Sequence, residues 1–227
     1  MTTSSHVTLQ AALNRVLMHY LSARRESLSG HDVAVAVRQD LPDAVKSLCP
    51  ELAEIGLGVQ SSAGVGRWAA VPWLRIFNPS ESPSAQRGVY VVYLFAADMS
   101  AVYLTLNQGT TNVATTELQR TREVIQRQIG NLQGFQMGPL PDGILKVQGR
   151  AEHYEAGCVY YKEYLSGSLP SDKRLKQDML TVTGAYAGLV TDPTLDGPTL
   201  ITDRPSPEEA ESRDDRTDPI EPDPLPS

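Results

Sequence analysis

Apolar residues at Leu9, Leu13, Val16, Leu17 and Tyr20 recur with the spacing of one helical face, which predicts a first helix over about 7–24. A second, short helix is expected from near Ser29 to Arg38, with Asp32 in its first turn. The period then shortens to that of strands, and four are expected: Gly66–Val71, Leu74–Phe77, Val89–Phe95 and Ala101–Leu106. The last two are joined by the short polar turn Ala96–Ser100 and read as an antiparallel hairpin. Thr115 or Thr116 can cap a third helix whose apolar positions are Leu118, Val124, Ile125 and Ile129 and whose stop is Gly130. After a Gly/Pro-rich passage come a weak strand near Ile144–Gln148 and another at Cys158–Tyr161. A final helix starts at Ser171 as N-cap, with Leu175, Met179, Val182 and Tyr186 as its buried stripe. The fold class that follows is mixed α/β (α+β), a partly antiparallel, bent sheet flanked by helices.

Residues 1–190 read as one domain, and 191–227 as an acidic, Pro-rich, disordered linker or tail that cannot bury enough apolar surface to offset the entropy of ordering. Ending in mid-linker, the chain is expected to continue into a further domain. Charge sharpens this division. Between Asp203 and Ser227 nine carboxylates face three arginines, so this stretch carries −6 of the net −7. The domain itself is close to neutral, so any affinity for DNA must come from a local, shaped site rather than from overall charge. No apolar run reaches the ~18 residues of a membrane span, and MTTSSHVTLQ lacks the features of a secretory signal. A cytoplasmic protein without a disulfide is the expectation. Cys49, Cys158 and the four histidines show no metal-ligand spacing.

Catalytic motifs are missing. There is no GxxxxGK[ST], GxSxG or HExxH, and GVG at 64–66 precedes a strand rather than a helix. Asp142 and Glu152 near Lys146 are read as solvated loop charges rather than a metal-nuclease site. The aromatic residues say more. They make up only 6% of the chain, yet Trp68, Trp73, Phe77, Tyr90, Tyr93, Phe95 and Tyr103 crowd into one β-rich third. Alternation puts Tyr90, Val92 and Leu94 on one face and Val91, Tyr93 and Phe95 on the other. With both faces apolar, either both are covered or one carries a pocket in which an extruded base could stack.

The run GVGRWAAVPWLRIFNPSESPSAQRGVYVVYLFAADMSAVYLTLNQG, Gly64 to Gly109, resembles the central motif of the McrB N-terminal DNA-binding domain family. It has the (V/I)PW turn, the G-x-Y strand start, the Y-L-F strand and the L-x-L-x-Q-G strand end. Downstream, YEAGCVYYKEYLSGSLPSDKRLKQDM, Tyr154 to Met179, resembles the family's aromatic-E-x-G … K-x-Y … L-P segment and the helix after it. The resemblance implies a non-catalytic reader of modified cytosine in duplex DNA, which rotates the base into a protein pocket. It implies as partners an AAA+ GTPase motor in the same polypeptide, the only place where a GTP cofactor is expected, and a nuclease subunit in trans. Carried over, the pocket falls on Trp73 as floor, Tyr90 against the base, and Leu94 closing the other side beside the 5-substituent.

Tyr90 and Leu94 stand about 13 Å apart on a regular strand, so gripping one ring between them requires a bulge or strong twist near Val91–Val92. Candidate phosphate or groove contacts are Arg67, Arg75 and Arg87, with Ser82, Ser84 and Gln86 in the loop Pro79–Gly88. Arg120, Arg122 and Arg127 on the third helix are further candidates to face DNA, against the commoner reading of such helix charges as solvent-facing. Lys162, Ser171 and Asp172 read as structural, and Cys158 as a buried apolar residue. The alternative is a protein–protein recruitment module with the same fold and no direct DNA readout.

Overall fold

The computed structural model describes residues 7–145 and 150–191, with side chains from 7 to 145 and from 154 to 190. The acidic tail and residues 146–148 of the expected weak strand fall outside these. Ile144 and Leu145 form a bend rather than a strand.

Helix α1 (Leu9–Ala23) buries Leu9, Leu13, Val16, Leu17 and Tyr20, as its spacing requires, and Thr8 caps it by accepting from Ala11 N. The second helical segment runs further than expected. A turn α2 (Asp32–Val35) passes through a π-helical turn at Ala36–Asp40 into α3 (Leu41–Leu48), followed by the turn α4 (Glu51–Glu54). Pro42, at the start of α3, has no N–H to donate, and the helix widens just ahead of it, with Leu41 N bonding back to Ala36 O.

Strands β1 (Gly58–Ser62), β2 (Trp73–Phe77), β3 (Val89–Phe95) and β4 (Ala101–Gln108) form a meander. Helix α5 (Thr115–Ile129), β5 (Gln136–Met137), α6 (Arg150–Gly157), β6 (Cys158–Leu165) and α7 (Asp172–Thr191) follow. The sheet is open and antiparallel, ordered β1-β2-β3-β4-β6-β5. Gly66–Val71, expected as a strand, is irregular. It is tied to the α1 region instead, by the Tyr20 hydroxyl to Ala69 O at 2.9 Å and by Trp68 Nε1 to Glu26 O at 2.9 Å. The edge strand that pairs with β2 is the unforeseen β1, whose half-buried GVQSS carries no apolar alternation.

Helices α1 and α7 cover one face of the sheet. The α7 stripe Leu175, Met179, Val182 and Tyr186 is fully buried, and Tyr93 and Phe95 of β3 point into this core. A buried polar cluster fastens α7 to β6. Asp178 accepts from Lys162 Nζ at 2.8 Å, Tyr164 Oη at 3.0 Å and Arg174 Nε at 3.2 Å. Satisfied on three sides, this carboxylate tolerates its burial and sets the helix register. Asp172 accepts from Gln10 N at 2.8 Å, which supplies one of the exposed first-turn donors of α1. Cys49 and Cys158 are buried and unbridged. Among the described residues, no helix is long and apolar enough to cross a membrane.

Candidate nucleic-acid interface

The sheet face away from α1 and α7 carries all three residues assigned to the base pocket. Antiparallel register arranges it in transverse rows. One row reads Ser62, Trp73, Leu94, Tyr103, Glu163, and the next reads Gln60, Arg75, Val92, Thr105, Tyr161. In the third, Gly58 pairs with Phe77 and Tyr90 with Asn107. Side chains two apart along a strand share a face, so this arrangement follows from the pairing alone. Irregular segments lie at both ends of this face, and helix α6 meets it beside Tyr90, where Asn107 Nδ2 donates to Tyr154 O at 3.3 Å.

At the Tyr90 end lies the β2–β3 loop. Asn78 starts it, donating its N–H to the Tyr186 hydroxyl at 2.8 Å and accepting from Ser80 N at 2.9 Å through its own side chain. The Tyr90 hydroxyl donates to Ala85 O at 2.9 Å and holds the loop over the ring. Two glycines seat it. Gly88 adopts φ +77°, and a Cβ on Gly109 would lie 2.3 Å from Gln86 O and 2.4 Å from Arg87 N. Gly109 N also donates to Gly88 O at 2.8 Å. The glycines of the G-x-Y and Q-G motifs are thus places where backbone touches backbone.

At the Leu94 end lies the segment before α6. Its amides of Gly143 and Leu145 donate to the two oxygens of the buried Glu155 carboxylate at 3.1 and 2.7 Å. Ala97 N, just past β3, donates to Ile144 O at 3.2 Å. Glu155, from the aromatic-E-x-G motif, therefore anchors this segment beside the end of β3. The same motif's Gly157 sits against Asn107 and Thr110, with no room for a Cβ.

Trp73 and Leu94 are direct cross-strand partners, and both are buried, as is Tyr90, at 4%, 3% and 4% exposure. The bulge expected near Val91–Val92 does not occur. The β2–β3 and β3–β4 registers run unbroken through these residues, with Val91 between Ile76 and Leu106 and Val92 between Arg75 and Thr105. Tyr90 therefore stands one row beyond Val92, about 13 Å along the strand from Leu94, and the three residues line a strip instead of facing each other across one ring.

Two of the expected phosphate contacts turn inward. Arg75 is 2% exposed, with Nε on Gln60 Oε1 at 2.8 Å and its guanidinium 4.0 Å over the Phe77 ring. The β1 edge, unrecognised in the sequence, supplies the partner that takes it in. Ser82 is fully buried, its hydroxyl within bonding distance of Ser84 O and Arg87 O at 3.0 and 2.8 Å, so it shapes the loop from inside. Ser84, Gln86 and Arg87 are half-buried on that loop and Arg67 is exposed. Arg67 lies at the other end of β2, so these groups flank the strip rather than cluster. Arg122 departs from its helical neighbours Arg120 and Arg127 by donating to Ala156 O at 2.7 Å.

Burial pushes the Tyr90 phenol far above its ordinary range, opposed only in part by the positive charge of Arg75. Burial, with help from the bond donated to Glu163 at 2.7 Å, does the same to Tyr103. The phenols on this face are thus neutral hydrogen-bond donors at physiological pH. Burial also raises Cys49 to about 11 and Cys158 further still, so neither thiol is a nucleophile. Among the described residues, no three His, Cys, Asp or Glu side chains are placed to share a metal ion. Lys146 and the side chain of Glu152 lie outside the described residues.

Arg75, Gln60, Asn107 and Tyr103 join this face only through strand pairing. A G-x-Y or L-x-L motif marks its own strand and not the neighbour, and no local signal in GVQSS announces that Gln60 faces Arg75. The family model for the MrcB-like, N-terminal domain matches residues 15–191. No curated protein matches the chain.

Proposed function

Since the chain belongs to the MrcB-like N-terminal domain family, whose members are DNA-binding N-terminal domains associated with restriction systems, we propose that it is the specificity module of a modification-dependent system. It reads modified cytosine in duplex DNA by turning the base out of the helix onto the strip of Trp73, Leu94 and Tyr90. The AAA+ GTPase motor acts in cis, the nuclease acts in trans, and this domain performs no chemistry of its own.

The observation that carries this reading is the sheet face itself. Its aromatic and aliphatic side chains form a continuous strip, and at the Tyr90 end the β2–β3 loop rests against it, a segment that can part to admit a ring. Turning out a base costs a few kcal/mol, and stacking on Trp73 returns roughly 1–3 kcal/mol. Phosphate contacts close the balance, and Arg67 at one end with Ser84, Gln86 and Arg87 at the other sit on loops able to reach the two sides of the gap. Lifting the loop from Tyr90 gives up one hydrogen bond, worth about 1 kcal/mol net. Thymine carries the same 5-methyl group as 5-methylcytosine, so shape alone cannot identify the base.

The test is competition binding of two duplexes that differ by one 5-methyl group, at fixed salt. The wild-type protein is expected to prefer the methylated duplex, and Trp73→Ala to weaken that binding about tenfold or more while leaving weak, salt-sensitive binding to unmodified DNA in place. Equal affinity for both duplexes, unmoved by the substitution, refutes the reading. A protein ligand captured with no DNA shift replaces it with a recruitment role.

A further inference from the structure

We infer that Arg75 is the residue that distinguishes cytosine from thymine, a role that rests on the base-turning reading above. Arg75 occupies the middle of the strip. Val92 is its cross-strand partner, Trp73 precedes it by two residues on β2, and Tyr90 and Leu94 are its diagonal neighbours on β3. Any ring lying on the strip therefore has a guanidinium beside it. The Nε bond to Gln60 at 2.8 Å and the Phe77 ring at 4.0 Å fix the guanidinium plane. Held this way, a planar donor fork is oriented before any ligand arrives.

The chemistry of the two pyrimidines gives that fork its use. Cytosine presents O2 and N3 as adjacent acceptors, which match two parallel N–H donors. Thymine presents O2 as an acceptor but N3–H as a donor, which meets the fork donor to donor. A pocket that accommodates a 5-methyl group takes both bases equally well until this edge is read. An arginine is suited to reading it because it carries donors only and stays charged at all working pH values.

The experiment uses the full chain and three duplexes, carrying 5-methylcytosine opposite guanine, thymine opposite guanine, or unmodified cytosine at one site. A mispaired thymine turns out more easily than a paired 5-methylcytosine, so without edge reading the thymine duplex binds at least as well. Wild type is expected to favour 5-methylcytosine over thymine by roughly tenfold or more, the discrimination a good two-point contact provides. Arg75→Met, which keeps the stem and removes the fork, is expected to abolish that ratio. Arg75→Lys keeps the charge without the fork and is expected to cut the ratio as well, and it serves as the readout if the methionine variant does not fold. Trp73→Ala is expected to weaken both duplexes and leave the ratio in place.

A ratio that survives Arg75→Met or Arg75→Lys overturns the inference and leaves base turning intact. Uniform weakening of all three duplexes, with a shallower salt dependence, makes Arg75 a phosphate contact and also overturns it. Failure of both variants to fold assigns Arg75 to the framework. A wild type that treats methylated and unmodified cytosine alike refutes the parent reading instead.

Discussion

Gly109→Ala separates the seat of the β2–β3 loop from every other feature of the sheet. Gly109 does not have a left-handed φ, so alanine is conformationally acceptable there and the perturbation is purely one of space. The new Cβ would stand 2.3 Å from Gln86 O and 2.4 Å from both Arg87 N and Gln86 C. Van der Waals contact needs about an ångström more than this, and backbone atoms cannot rotate away as a side-chain tip does. The loop must lift, which strains the 2.8 Å bond from Gly109 N to Gly88 O and breaks the one from the Tyr90 hydroxyl to Ala85 O. Overpacking and one lost buried hydrogen bond together cost roughly 2–4 kcal/mol. For a domain of this size that is a fall in Tm of roughly 5–15 °C. Gly130→Ala is the control. Gly130 has φ +70° and ψ −138° with nothing within 4 Å of a Cβ, so it incurs backbone strain alone, roughly 1–3 kcal/mol, and leaves the loop and its DNA binding untouched. Thermal unfolding of both variants, with methylated-duplex binding measured well below Tm, checks the reasoning. A Gly109→Ala protein as stable as wild type, or one that loses stability but binds methylated DNA unchanged, refutes the claim that this contact seats the loop against Tyr90.

Glu155→Gln replaces one of the two carboxylate oxygens on Gly143 N and Leu145 N with an amide donor that faces an N–H. A loss of about 1–3 kcal/mol is expected, with faster hydrogen exchange at those two amides as the specific readout; unchanged exchange there counts against the clamp. Cys49 and Cys158 are expected to resist thiol reagents in the folded protein at pH 8 and to react on denaturation. The same burial has a pH consequence. Cys49 is raised from 9.0 to about 11, so its contribution to stability is complete below about pH 9 and is lost as the pH climbs towards 11, because only the unfolded chain ionises in that window. Denaturant titrations at pH 8 and pH 10.5, compared with Cys49→Ala, test this; an equal pH slope in the two proteins contradicts it.

Long periodic segments were legible without coordinates. The faces of α1 and α7, the hairpin β3–β4 and the Gly130 stop depend on spacing within one element, and each appears where its apolar stripe placed it. Segments whose structure is imposed by a partner were not. Gly66–Val71 looks like a strand by composition but is drawn to the α1 region by Tyr20 and Trp68. GVQSS looks like a loop but becomes β1 because β2 offers it an open edge. The second helical stretch, expected to end near Arg38, continues to Leu48 because a π-helical turn accommodates Pro42.

For the candidate interface, the sequence by itself determined that Tyr90 and Leu94 share one face of an apolar strand, since alternation is a local property, while Trp73 fell just ahead of the expected strand Leu74–Phe77. Tertiary structure decided what those residues surround. Pairing with β1 brought Gln60 to Arg75 and carried a charge expected on the surface into the centre of the strip. The unbroken β2–β3 register put Trp73 beside Leu94 and moved Tyr90 one row away. Strand register is a relation between residues far apart in the chain, set by the collective burial of two faces, and no single stretch of sequence contains it.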